Sequence, residues 1–278
     1  MTTVLVYGGN GFIGRHLVPF LRDHTDWDVA VHDRDDGPIT VAPDFVVNLA
    51  ADADAGWTIR HPLETVANGT NSTAALLEQA RAWPVRRFIQ VSTAEVYGTA
   101  MCDHTTTCQL NPQTPYAAVK AAQDMLAVAW REACGVPAVV ARTANVFGEH
   151  QPAARFLPTI VRRAVATEPI QVVPGCRRFI HADDVCRGVL AALQADEVAP
   201  VIHLTGAEIQ DHNTFALGVL QAVAELTGSS DAAVLSRIDP TRPGHAGDLT
   251  AVPSGIPMWR QRPLQERINQ TVKHLLEV

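Results

Sequence analysis

Tyr116 and Lys120 stand four residues apart in the run Tyr116-Ala117-Ala118-Val119-Lys120. On a helix that spacing puts both on one face. A phenol with an ordinary pKa near 10 is a poor base at neutral pH, but an ammonium beside it favours phenolate and lowers that value. The pair is therefore a candidate for moving a proton to or from a substrate hydroxyl, and the lysine can also reach the ribose of a bound dinucleotide. Taken alone, Y-x-x-x-K reads first as an exposed pair on a helix. Thr93 supplies the missing context. It lies in Ser92-Thr93-Ala94-Glu95-Val96-Tyr97-Gly98, just after a strand-like apolar run at 88–91. A hydroxyl at a strand end completes a hydrogen-bond system with the phenol and the substrate oxygen. Glu95, two residues on, is a candidate base, or else a carboxylate that stabilises the turn.

A second group of residues points to a dinucleotide. Tyr7-Gly8-Gly9-Asn10-Gly11-Phe12-Ile13-Gly14 follows the first apolar run and opens a helix. Gly8, Gly11 and Gly14 form G-x-x-G-x-x-G, and Gly9, Gly11 and Gly14 also satisfy G-x-G-x-x-G. Such glycines permit a tight turn and a close backbone approach to a pyrophosphate, and the helix N-terminus adds N–H donors and a positive dipole end. Asp33 follows the second apolar run about 20 residues on, where a ribose-binding carboxylate belongs. It favours NAD, because a carboxylate accepts ribose hydroxyls and repels a 2′-phosphate. The adjacent Arg34 leaves NADP open, since a guanidinium can hold that phosphate.

These residues need a scaffold that brings strand ends together. Strand-like runs at 4–7, 29–32, 45–50, 88–91 and 138–142 alternate with helical stretches at about 11–23, 62–82 and 115–134. Such alternation predicts an α/β fold, a Rossmann-type doubly wound parallel sheet with helices on both faces. Helices at 155–167, 182–195 and 212–227, a strand at 201–204, a Pro/Gly-rich passage at 239–263 and a last helix complete the chain. The expected division is a dinucleotide-binding domain over 1–150 and, over 151–278, a small substrate-binding lobe with some elements returning to the sheet. The lobe would cap the carboxyl ends of the strands, where open α/β sheets bind ligands.

Composition narrows the partners. A formal net charge of −7 disfavours nucleic acid, although a local arginine cluster can still hold a small diphosphate. The cysteines, Cys102, Cys108, Cys134, Cys176 and Cys186, are odd in number and show no C-x-x-C spacing. That argues against a disulfide framework or a structural metal and fits a reducing cytoplasm. No apolar run is long enough to span a bilayer, and the first residues lack the basic segment and cleavage site of a signal peptide. A cytoplasmic protein without a membrane partner is expected.

The glycine loop at 8–14, Asp33, Leu49-Ala50-Ala51, the 92–98 run, Tyr116 with Lys120, and Arg142-Thr143-Ala144-Asn145-Val146-Phe147-Gly148 together resemble the NAD-dependent epimerase/dehydratase family, the extended short-chain dehydrogenases. The resemblance covers nearly the whole chain. It implies an enzyme that holds NAD and acts on a nucleotide-activated sugar. Tyr116 would be the acid/base, Thr93 would bond the reacting oxygen, and Lys120 would tune Tyr116 and bind the nicotinamide ribose. Gly8, Asn10, Gly11, Phe12, Ile13, Gly14, Asp33, Arg34, Leu49, Ala50 and Ala51 would line the dinucleotide. Asn145, Arg177 in Arg177-Arg178-Phe179-Ile180-His181, and Arg242 in Arg242-Pro243-Gly244-His245 match contacts to the substrate diphosphate, where charge-assisted bonds suit arginine. Many such relatives pair through two helices each, so a homodimer through 62–82 and 115–134 is expected.

Two departures from the family pattern matter. Only 17 residues separate Asp33 from Ala51, where the family has several tens, so an edge strand and its helix are expected to be missing. Sugar 4,6-dehydratases usually carry Thr-Asp-Glu where this chain has Thr93-Ala94-Glu95, and alanine cannot donate a proton. General acid catalysis is worth about 10²–10⁴-fold. The first reading is therefore a nucleotide-sugar epimerase, at C4 through a transient 4-keto sugar. The alternatives are a 4,6-dehydratase or related oxidative lyase using Glu95, a nucleotide-sugar ketoreductase, and a cofactor- or nucleotide-sensing protein without turnover.

Overall fold

A computed structural model describes residues 1–99, 103–228, 235–237, 251, 254 and 261–277. β1 (Thr3–Tyr7) leads through the glycine loop into α1 (Phe12–His24), followed by β2 (Asp28–His32) and β3 (Phe45–Asn48). Next come α2 (Ala55–Arg60), α3 (Pro62–Val66), a π turn (Ala67–Asn71) and α4 (Ser72–Ala80). β4 (Arg87–Thr93) ends in a 3₁₀ turn (Ala94–Tyr97), and α5 (Pro115–Cys134) leads to β5 (Ala138–Thr143) and β6 (Asn145–Phe147). The remainder is α6 (Phe156–Val165), β7 (Ile170–Val172), β8 (Cys176–His181), α7 (Ala182–Gln194), β9 (Val201–Leu204), β10 (Ile209–Asp211), α8 (His212–Thr227), β11 (Leu235–Arg237) and α9 (Leu264–Glu277).

Six strands form a parallel sheet in the order β2-β1-β3-β4-β5-β9. All their carboxyl ends therefore meet one edge. The period of two along each strand divides the core between two faces. Val4, Val6, Ile89 and Val139 pack with Leu17, Leu21, Val185 and Val189 of α1 and α7. Leu5, Phe88 and Val140, one residue out of phase, pack with Leu76 and Leu77 of α4 and Ala127 of α5. Each large side chain buried this way contributes about 1.5–3 kcal/mol. A separate core joins Leu157 and Ile160 of α6, Phe215 and Val219 of α8, and Ile268 and Val272 of α9 to Phe147 and Phe179. That core supports the smaller sheet, β10-β8-β6, beside the carboxyl edge of the large one.

The missing edge unit is as expected. β2 is the outermost strand, and residues 33–44 reach β3 without a helix. Ile39 and Val41 of this connection lie against the Leu5–Phe88 core, in place of a packing helix. The single helix expected over 62–82 is instead divided. Thr70 Oγ1 and Ser72 Oγ donate to the carbonyls of Val66 and Asn68, bonds that compete with regular helix geometry. Gly69 also presses against α5, where an added Cβ would lie 2.3 Å from Val119 Cγ1. The short strands β6, β7, β8, β10 and β11 were not expected from periodicity, because runs as polar as Cys176-Arg177-Arg178 carry no strand pattern.

Candidate active site

The glycine loop joins the carboxyl end of β1 to α1, and two glycines decide its shape. Gly8 has φ +86°, and a Cβ there would lie 2.8 Å from Ala50 N. Gly14 packs directly on the loop, since its Cβ would stand 2.3 Å from Gly9 O. The backbone turns tightly and leaves a cavity of about 280 Å³, lined by Tyr7, Gly8, Gly11, Asp33, Arg34, Leu49, Ala50, Ala51 and Asp52 among others. Asn10 bonds Asp33 Oδ2 through its side-chain amide and through its backbone N–H at 3.3 Å, which fixes the carboxylate beside the loop. Phe12 and Ile13 begin α1, with Ile13 against the core and Phe12 edge-on to His16. A cradle that any side chain would fill, ending in a carboxylate, fits the phosphates and ribose of NAD.

The candidate proton-transfer residues converge at the end of β4. Thr114 caps α5 by accepting from Ala117 N at 3.1 Å, and Pro115 starts the helix, so Tyr116 lies in its first turn. The Thr93 hydroxyl neighbours the Tyr116 phenol and acts to lower it, and Thr93 Oγ1 accepts from Glu95 N at 3.2 Å. Burial, with the Glu95 carboxylate, pushes the Tyr116 phenol above its ordinary value, and Arg155 and the Thr93 hydroxyl offset this only in part. The lowered phenol expected from Lys120 is therefore not found. Lys120 Nζ instead donates to Val91 O at 2.9 Å, and burial pulls its pKa down to about 8 against the opposing pull of Asp124. Burial also raises the Glu95 carboxyl, opposed by Arg177 and Arg155.

Behind Lys120 lies a buried charged chain. Asp124, one turn along α5, accepts from Arg142 Nε at 2.8 Å, and Arg142 Nη1 donates to Tyr97 OH, which meets His203 Nε2 at 2.6 Å. A buried amide set connects the two half-sites. Asn48 Nδ2 donates to Gln90 Oε1 at 2.8 Å, Gln123 Nε2 donates to Thr73 Oγ1 at 2.8 Å and to Gly69 O at 3.0 Å, and Asn48 Oδ1 accepts from Ala50 N at 3.1 Å. The Leu49-Ala50-Ala51 wall and α5 are thereby locked to the same core.

Of the expected substrate residues, Arg177 is buried on β8 within electrostatic reach of Glu95. Asn145 opens β6, in register with Phe179 of the same small sheet. Arg242 lies outside the described residues. Arg155 was missed. It stands at the start of α6, acts on both Glu95 and Tyr116, and donates through Nη2 to Ala53 O across the cleft. No spacing rule announces it. Asp124 was also missed, although its position four residues after Lys120 on one helix face is a readable signal.

Among the described residues no helix is long and apolar enough to cross a membrane. Residues 4–204 match the model of the NAD dependent epimerase/dehydratase family. A low-salt glycan biosynthesis protein, Agl12, of Haloferax volcanii is 28% identical over 82% of this chain and 83% of its own length. A dTDP-glucose 4,6-dehydratase of Streptomyces niveus is 29% identical over 60% of this chain, a match that spans about half, 51%, of that enzyme. The UDP-glucuronic acid 4-epimerase of Bacillus cereus, solved with UDP-glucuronic acid and NAD, shares the fold with a TM-score of 0.84 at 19% identity, over 99% of both chains. With its glycine cradle, its candidate proton-transfer residues at the end of β4 and a family match over most of its length, the chain belongs to the NAD-dependent epimerase/dehydratase family and uses NAD.

Proposed function

We propose that the chain is a nucleotide-sugar 4-epimerase working through a transient 4-keto sugar. One juxtaposition carries the reading: Thr93 and Tyr116 as neighbours beside a buried Ala94. The pair can exchange a proton with a sugar hydroxyl, whereas 4,6-dehydration needs an acid where alanine stands. Bound NAD supplies a reversible hydride acceptor for the sugar carbon. Thr93 holds the C4 oxygen, and Tyr116 takes its proton and later returns it. At neutral pH Lys120 is charged, and swinging its ammonium from Val91 O toward the phenol supplies the positive charge that makes Tyr116 a base. Arg177 and Asn145 hold the diphosphate, and Arg155 ties the substrate side of the cleft to the loop after β3 that carries Ala53.

A second reading, a 4,6-dehydratase or related oxidative lyase, is favoured by Glu95, whose buried carboxyl neighbours Tyr116 and is raised toward the range useful for proton transfer. The two readings separate in one assay. The protein is incubated with NAD⁺ and a panel of nucleotide hexoses and uronates, and products are resolved by mass and NMR. The expected product has unchanged mass and an inverted C4, and Glu95→Gln keeps turnover within about tenfold. Loss of water or carbon dioxide, with turnover abolished in Glu95→Gln, overturns the epimerase reading.

We also propose that two copies pair through α3 and α5. Leu63 (84% exposed) and Met125 (67% exposed) leave apolar surface on these adjacent elements, and burying it is the usual driving force of a symmetric pair. Sedimentation of Met125→Glu should show monomer where the native chain shows dimer.

A further inference from the structure

The connection from β2 to β3 has a consequence at the cofactor cleft. β2 and β3 flank β1 on either side, so residues just beyond them face each other over the end of β1, where the glycine loop begins. Arg34 follows β2, Asp52 follows β3, and they meet there with Arg34 Nη2 3.0 Å from Asp52 Oδ1. Asp52 is held from its other side as well, since Asn68 Nδ2 donates to Asp52 Oδ2 at 3.3 Å. Around the same cavity stand three carboxylates, Asp33, Asp35 and Asp52, and among the described residues Arg34 is the one cationic side chain lining it.

We infer that Asp52 selects NAD over NADP by keeping Arg34 paired across the mouth of the cavity. A ribose 2′-hydroxyl donates to a carboxylate such as Asp33 and needs no cation. A 2′-phosphate brings nearly two negative charges to a rim that already holds three, and the guanidinium that would receive it is engaged by Asp52. The selection works by repulsion and by withholding a partner. The pair is partly open to solvent, with side chains 53% and 22% exposed, so screening limits the effect to roughly tenfold in relative affinity. The inference rests on the cofactor site and not on which sugar reaction follows.

The test measures binding alone. Protein stripped of nucleotide is titrated with NADH and with NADPH, followed by cofactor fluorescence. The native chain should bind NADH at least tenfold more tightly than NADPH. Asp52→Asn should improve NADPH relative to NADH by about tenfold, and Arg34→Leu added to it should remove the gain. Arg34→Leu alone should leave NADPH binding as weak as before, a measurement that does not depend on Asp52→Asn folding. Equal shifts for both dinucleotides in Asp52→Asn, or loss of NADPH binding in Arg34→Leu alone, overturn the inference. A sugar screen without turnover leaves these affinities unaffected, so failure of the epimerase reading is seen separately. Failure of both dinucleotides to bind overturns the site assignment and this inference together.

Discussion

Replacing Lys120 with methionine should stabilise the cofactor-stripped protein at neutral pH while destroying its chemistry. Lys120 is 4% exposed, and its ammonium donates to Val91 O at 2.9 Å. Its descent from 10.5 to about 8 corresponds to about 3 kcal/mol held against the charged form, even with Asp124 close by. Methionine keeps the apolar stem and removes the charge. It forfeits the bond to Val91 O, worth about 1 kcal/mol, while Asp124 retains Arg142 at 2.8 Å. The expected gain at pH 7 is about 1–2 kcal/mol, a few degrees in Tm. The sign with pH follows from the folded pKa lying below the unfolded one. Between about 8 and 10.5 the unfolded chain binds more protons, so the native protein gains stability as pH rises through that window. The variant lacks this gain, and its advantage should close toward pH 10.5. Urea unfolding at pH 7 and pH 10 reads the difference, and turnover should fall at least about 10²-fold. A stability gap that does not change between these pH values would refute the reasoning.

Three further outcomes are expected. Gly14→Ala puts a Cβ 2.3 Å from Gly9 O and 2.5 Å from Gly9 C, so the loop must shift by about 1 Å, and NADH affinity should fall about 10–100-fold. Gly37→Ala, with nothing within 4 Å, is the control and should bind normally. Asp183 accepts from His16 Nδ1 at 2.8 Å and Arg267 Nη1 at 3.0 Å, so Asp183→Asn should cost about 3–5 kcal/mol in urea unfolding. Burial opposes ionisation of Asp183, yet the His16 bond holds its carboxyl well below the ordinary 3.8, so its contribution is present above that value and lost as pH falls through the folded one. For His16, burial acts downward but the Asp183 bond prevails and raises the pKa, so that contribution is complete below 6.5 and fades as pH rises through the raised value. Melting curves across pH should show both limbs, and Asp183→Asn should flatten them.

Much of the scaffold is legible in the chain because its signals are local. α5 begins and ends where Thr114, Pro115 and Gly135 say it should, since a cap, a fixed φ and a left-handed glycine (φ +73°) act within a few residues. The glycine loop is legible for the same reason: the need for small residues at 8 and 14 comes from backbone approaching backbone. The division of the 62–82 segment is not, because it follows from side-chain bonds to the helix's own carbonyls and from Val119 of another helix.

The chemistry divides along similar lines. Sequence alone determined the parallel α/β architecture, the dinucleotide loop and the shortened connection after β2, and it singled out Thr93, Tyr116 and Lys120 as candidates. Each depends on residue type and order along the chain. Tertiary structure decided what those groups experience. Tyr116 is raised because the fold buries it beside Glu95, and Lys120 is lowered because the fold buries its ammonium. Arg155 meets Ala53 across 102 residues of chain, and Arg34 meets Asp52 only because β2 and β3 flank one strand. Protonation depends on burial and on charges a few ångströms away, and both are properties of the packed chain that local residue spacing does not encode.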